Sequence, residues 1–133
     1  MARVLIVEDE RIIAQDLQQR LTRLGHTVAT AATGAQAIAQ ATTLTPNLVL
    51  MDIGLQGALD GVETAEYLWE RFRLRCLYLT AYGDAPTVAP AQRTQPLGYL
   101  AKPFHPQALE TTFHAALKAV HEGVPSPGEM PTV

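Results

Sequence analysis

Cysteine is nearly absent: Cys76 stands alone in 133 residues. A lone thiol excludes an internal disulfide and a cysteine-rich zinc site, and its place inside an apolar run marks it as a buried, inert side chain. Positive charge is not in surplus either. Ten Lys and Arg against 13 Asp and Glu give a formal charge of -3 and a pI near 5.7. That balance offers no broad basic field to nucleic acid or an anionic membrane, so no direct contact with either is expected. Long apolar runs are missing as well. The opening MARVLIVEDE is too short in its apolar part for a signal sequence, and no stretch approaches the roughly 20 residues that cross a bilayer. A soluble, cytoplasmic chain is the expectation. At this length one domain fits, large enough to bury about two thirds of its unfolded surface without covalent staples.

What the chain does have is alternation. Short β-branched apolar runs stand at 3–7 (RVLIV), 27–31 (TVATA), 48–51 (LVLM), 76–80 (CLYLT) and 98–101 (GYLA), and each reads as a strand. Helical patterns separate them. Residues 12–24 place Ile13, Leu17, Leu21 and Leu24 on one face ahead of Gly25; 34–44 is Ala-rich and stops before Pro46. Residues 61–72 put Val62, Ala65, Leu68, Trp69 and Phe72 inward, with Asp60 as N-cap, and 106–120 opens on Pro106, a residue suited to a first helical turn. The weak unit is 84–95, which carries Pro86 and Pro90. An interior proline costs a helix about 3 kcal/mol, so this segment should be kinked, or helical on one side of Pro90 only. Five strand-helix units in this order call for an α/β fold, a doubly wound (βα)5 with a five-stranded parallel sheet, order 2-1-3-4-5. The apolar character of strands one, three and four agrees, because such strands are covered on both faces. Residues 1–121 form the expected domain, and the Pro-rich 122–133 a disordered tail or linker.

Chemistry gathers just past the strand ends. Strand one runs into Glu8 and Asp9, strand three into Asp52, strand four into Thr80, and strand five into Lys102. In the 2-1-3-4-5 order strands one and three are neighbours at the switch point, where a crevice opens outside the strand ends. Three carboxylates converge there. At an effective dielectric near 20, two like charges about 4 Å apart cost about 4 kcal/mol, a penalty that a divalent cation removes. Mg2+ suits a site with few carboxylates, waters and a backbone carbonyl, which Gly54 could provide. Lys102, two strands away from Asp52, needs its full length to return to the cluster, while Thr80 offers a short hydroxyl donor. Metal, ammonium and hydroxyl around one carboxylate are the equipment of phosphoryl transfer, with Asp52 as nucleophile.

The runs VLIVEDE, LVLMDIGLQGALDG, LYLTAYGD and GYLAKPF, in that order and spacing, resemble the receiver domain of bacterial two-component response regulators. The resemblance covers Val4 to about Val120 and implies a flavodoxin-like fold. It further implies that Asp52 accepts phosphate from a histidine kinase or phosphotransfer protein, that Glu8, Asp9 and Asp52 bind Mg2+ with the Gly54 carbonyl, and that Thr80 and Lys102 contact the phosphoryl group. It places a switch aromatic at Tyr99, a cis peptide before Pro103, and a homodimer or effector surface on helix four, strand five and helix five. Self-phosphorylation and autodephosphorylation are the only reactions it implies.

Other readings are weaker. The form MDIxLxGxxDG resembles receivers attached to sensory kinases, so a module from a hybrid kinase or multidomain regulator is an alternative to a stand-alone protein. A flavin-binding module of the same fold would need a Ser-, Thr- or Gly-rich phosphate loop where EDERI stands. A small Mg2+-dependent phosphohydrolase would need a cap, for which the chain has no room. His26, His105, His114 and His121 lack ligand-like spacing and read as surface or packing residues.

Overall fold

The computed structural model describes residues 1–81 and 84–123. Strand β1 (Arg3–Val7) leads to helix α1 (Arg11–Arg23), β2 (Thr27–Ala31) to α2 (Gly34–Leu44), and β3 (Leu48–Asp52) to α3 (Gly61–Phe72). Strand β4 (Cys76–Thr80) leads to α4 (Ala85–Ala91) and a 3-10 turn at Gln92–Thr94, and β5 (Gly98–Ala101) to α5 (Pro106–Glu122). All paired strands are parallel, in the order β2-β1-β3-β4-β5. The expected (βα)5 architecture is therefore the observed one.

The two-residue period of the strands divides the core into two layers. Leu5, Val7, Val49, Met51, Cys76 and Tyr78 face one way, against Ala37 and Ala41 of α2 and Val62, Ala65 and Leu68 of α3. Val4, Ile6, Leu48, Leu50, Leu77 and Leu79 face the other, against Leu17 and Leu21 of α1 and Leu109, Phe113 and Ala116 of α5. Every residue of β3 is buried, as a central strand covered on both faces requires. Burial pushes the Cys76 thiol up to about 12, consistent with an inert core side chain.

Local chemistry sets the helix ends. Asp60 accepts the Glu63 N–H at 2.8 Å, and Glu63 accepts the Asp60 N–H at 3.0 Å, closing a reciprocal cap on α3. Thr33 does the same work for α2, accepting the Gln36 N–H at 3.1 Å. Proline truncates α4: it is seven residues long, ends one residue past Pro90, and tightens into the 3-10 turn.

Three expectations need correction. Leu24 caps α1 instead of joining its buried face and is 37 % exposed; the buried residues of α1 are Ala14, Leu17 and Leu21. Trp69 and Phe72 are not core: Phe72 is 39 % exposed, and Trp69, half-buried, lies under the Arg73 guanidinium, whose carbon is 4.7 Å from the ring centre. Leu68, one residue before Trp69, is fully buried and takes the inward position of this turn, so Trp69 is rotated away from the core. Finally, α5 continues through His121 and Glu122 to a left-handed cap at Gly123, so those two residues belong to the helix. The rest of the expected tail, 124–133, lies outside the described residues.

His26, expected on the surface or in packing, packs at the start of β1. Its Nδ1 accepts the Ala2 N–H at 3.0 Å, its ring meets Phe113 edge-on at 5.0 Å, and its buried Nε2 has no partner among the described residues. Burial first, then the positive N-terminus and His114, hold its pKa below the ordinary 6.5. The unfolded chain thus takes a proton that the folded chain resists. This contribution to stability is complete above about pH 6.5 and is lost as pH falls through the lower folded value. Thermal melts from about pH 6.5 to pH 5 should show a falling melting temperature in wild type and a flatter curve in His26→Gln. Equal slopes would remove His26 as the cause.

Candidate functional site

Strand β1 delivers Glu8 and Asp9 on leaving the sheet, and the Glu8 N–H still reaches the Ala31 carbonyl at 3.0 Å, so β2 fixes the backbone one residue past the strand. Asp52 is the last residue of β3, with Ile53 N–H bonded to the Leu79 carbonyl at 3.0 Å. Helix α3 begins directly against this turn. A side chain on Gly61 would collide with the Asp52 carbonyl oxygen and the backbone of Ile53, so the close approach that seats Asp52 depends on glycine there.

Glu8, Asp9 and Asp52 each present a carboxylate oxygen within 4.8 Å of the others. Glu8 is 2 % and Asp52 6 % exposed, whereas Asp9 faces solvent. Lys102 crosses from β5 to meet them, its Nζ 2.5 Å from Glu8 Oε1 and 3.4 Å from Asp52 Oδ1. Burial, then the hydrogen bond with Asp52, push the Glu8 carboxyl up to about 7 against the lowering pull of Lys102. Burial alone would lower the Lys102 ammonium, but its hydrogen bond to Glu8 and the charges of Asp52 and Glu8 outweigh that and hold it above its ordinary value. Asp52 Oδ1 also accepts the Gly54 N–H at 3.0 Å. No backbone or cationic donor among the described residues reaches Asp52 Oδ2. This all-oxygen donor set, partly buried and short of positive charge, fits a hard divalent cation such as Mg2+.

The other expected site residues lie around this cluster. Thr80 ends β4 half-buried, its carbonyl taking the Lys102 N–H at 2.7 Å. The Lys102–Pro103 peptide is cis. Gly54 is beside Asp52, but its carbonyl accepts the Gln56 side-chain amide at 2.9 Å, so the oxygen expected to face a metal is engaged within its own loop. Tyr99 stands apart from the carboxylates. Its ring stacks on Tyr78 at 5.7 Å, and its buried hydroxyl has no partner among the described residues; burial raises its pKa. One carboxylate was missed from sequence. Asp84 accepts the Ala81 N–H at 2.7 Å, and its Oδ1 lies 3.3 Å from where a Gly54 side chain would begin. The one signal was an acid four residues after Thr80, which reads equally as a helix start.

Comparison with known proteins agrees with this geometry. The family model for the response regulator receiver domain matches residues 4–114. The phyllosphere-induced regulator PhyR of Methylorubrum extorquens is 33% identical over 116 residues, 86% of this chain and 43% of that protein. The alkaline phosphatase synthesis regulatory protein PhoP of Bacillus subtilis is 31% identical over 125 residues, 93% of this chain and 52% of that one. The chain thus spans about half the length of the curated relatives it matches. Among solved structures, the signal receiver domain of a modulated diguanylate cyclase from Desulfovibrio desulfuricans G20 superposes with a TM-score of 0.85 at 38% identity, covering 92% of this chain and 98% of that one. The NtrX receiver domain of Brucella abortus gives 0.81 at 29% identity, over 86% and 98%.

Removing the ammonium tests the charge balance. Lys102→Met leaves two buried carboxylates without a cation and should cost about 2–4 kcal/mol in denaturant unfolding without divalent ions. Saturating Mg2+ should recover more stability in the variant than it adds to wild type. A variant as stable as wild type in chelator would show that Lys102 does not balance the cluster.

Proposed function

The chain belongs to the response regulator receiver domain family, and on the geometry of its strand-end site we propose that Asp52 is the phosphoacceptor. The observation that carries this is the seating of Asp52: buried at the end of the central strand, with Oδ1 held by Gly54 N–H and Lys102 and its carboxylate grouped with those of Glu8 and Asp9. Oδ2 attacks the phosphorus of a phosphohistidine on a histidine kinase or phosphotransfer protein. The O–P bond forms, the P–N bond breaks, and the imidazole leaves. Glu8, Asp9 and Asp52, with the Gly54 carbonyl, would hold Mg2+, which when bound would neutralise charge on the phosphoryl oxygens. Lys102 pairs with the phosphoryl group as it forms, exchanging part of its contact with Glu8, and the Thr80 hydroxyl donates to an equatorial oxygen.

The partner comes to the site over an apolar rim. Ile12 is 82 % exposed at the start of α1, and with Ile13, Pro103 and Phe104 it lines a groove that reaches Lys102. A histidine-bearing protein that packs its own apolar residues there brings its phosphoryl group to Asp52. Output leaves by α4, β5 and α5, through Thr80 and Tyr99, to a second copy or to an effector protein. The family membership does not favour the flavin or phosphohydrolase readings. No helix among the described residues is long and apolar enough to cross a membrane.

Incubation with a small acyl phosphate and Mg2+ should add one phosphoryl group to wild type and none to Asp52→Asn, read by intact mass. Peptide mapping should place it on residues 48–61. A full adduct on the variant would remove Asp52 from the mechanism.

A further inference from the structure

We propose that Asp84 is a built-in anion of the resting state: it occupies the Ala81 N–H beside the phosphoacceptor, and a phosphoryl group on Asp52 drives it out and takes its place. This rests on the phosphoacceptor reading of Asp52. Ala81 follows Thr80 directly, and its N–H donates to Asp84 Oδ2 at 2.7 Å, a short charge-assisted bond. The point where a Gly54 side chain would begin lies 3.3 Å from Asp84 Oδ1 and 3.5 Å from Asp52 Oδ1. Two carboxylates therefore flank one bare patch of backbone, and glycine at 54 leaves the patch open to both.

Asp84 has no counter-charge. Lys102 is committed to Glu8 and Asp52, and no ion pair to Asp84 exists among the described residues. A phosphoryl group on Asp52 adds a charge of about -1.5 to -2 next to it. Repulsion then acts on Asp84, whose carboxylate takes a single hydrogen bond among the described residues, from the Ala81 N–H. Its backbone N–H donates to the Ala81 carbonyl at 3.1 Å, its own carbonyl accepts the Thr87 N–H at 2.9 Å, and beyond them lies only the seven-residue α4 with Pro90 inside it. When Asp84 leaves, the Ala81 N–H it frees donates to a phosphoryl oxygen instead. One hydrogen bond is exchanged for another, and the start of α4 moves with the departing residue. Asp84 is thus a positioning residue, setting how readily the phosphorylated state forms without touching the reacting atoms.

The test uses beryllofluoride as the phosphoryl mimic on the full chain with saturating Mg2+, measured by calorimetry, beside hydrogen exchange of the Ala81 amide. Asp84→Asn, which keeps an oxygen for Ala81 but loses the charge, and Asp84→Ala should both bind beryllofluoride more tightly than wild type. The gain should be about threefold to fiftyfold for one charge removed at this separation, and smaller in about 1 M KCl. A purely structural cap would weaken binding in the alanine variant and leave the asparagine variant unchanged, which would overturn the proposal. Without the mimic, Ala81 should exchange slowly in wild type and fast in Asp84→Ala; with it, slowly in both. Equal beryllofluoride affinity in all three proteins overturns the role of Asp84 and leaves the phosphoacceptor reading standing, whereas no binding to any of them overturns both. Should neither variant fold, the Asp84 carboxyl carbon resonance in wild type decides: a shift on adding the mimic supports displacement, and an unchanged resonance overturns it.

Discussion

The site depends on one ammonium crossing the width of a strand. Lys102 leaves β5, the sheet edge, and reaches Glu8 after β1 and Asp52 at the end of β3, with β4 in between. At the usual strand spacing β5 and β3 are about 10 Å apart, a span that a long cationic side chain covers. The two carboxylates it meets are almost wholly buried, and without it neither could remain charged there at low cost. The consequence reaches the whole sheet. The charge balance closes only when β1, β3, β4 and β5 are all in parallel register, so assembling the fold and assembling the site are one event. The backbone repeats the tie, since the Lys102 N–H bonds to the Thr80 carbonyl at 2.7 Å and holds the ammonium and the hydroxyl donor at a fixed offset.

That dependence explains how much could be read from the sequence. Strand runs are short and apolar, their ends fall on charged or hydroxyl residues, and strand order follows from the βα alternation, so Glu8, Asp9, Asp52, Thr80 and Lys102 converge by topology alone. Gly61 was legible as a helix start, yet its tight packing on the Asp52 carbonyl was not, because the approach of α3 to β3 depends on a loop path. Periodicity misled at the end of α3 as well. It reports which face of a helix is apolar but not which of two adjacent apolar residues takes the inward position, so Trp69 was placed inside although Leu68 fills that position and Trp69 lies beneath Arg73. Gln56 and Asp84 were illegible as site neighbours. Each acts through one contact, with the Gly54 carbonyl and the Ala81 N–H, and single contacts between loops leave no period in a sequence.

The loops also divide rigid from movable parts. Asp52 ends β3 and Glu8 directly follows β1, strands whose apolar residues fill both core layers, so both carboxylates are rigidly placed. Thr80, Ala81 and Asp84 stand where β4 passes into the shortest helix of the described residues. Local opening costs least where few buried contacts must break. On the proposed reading, a change in charge at Asp52 is answered by the β4 end before it disturbs β1 or β3.

Tyr99 gives that response a direction. Its ring stacks on Tyr78, whose hydroxyl is 2.6 Å from that of Thr94 in the turn after α4, and Thr94 in turn bonds the Ala91 carbonyl at 2.6 Å. Tyr78 is thus satisfied and anchored, but the buried Tyr99 hydroxyl finds no partner among the described residues. A buried unpaired hydroxyl costs about 1–3 kcal/mol. Tyr99 packs in the same core layer as Ala91, the last residue of α4, so a shift of α4 that brings water or a new acceptor to the hydroxyl would be favoured.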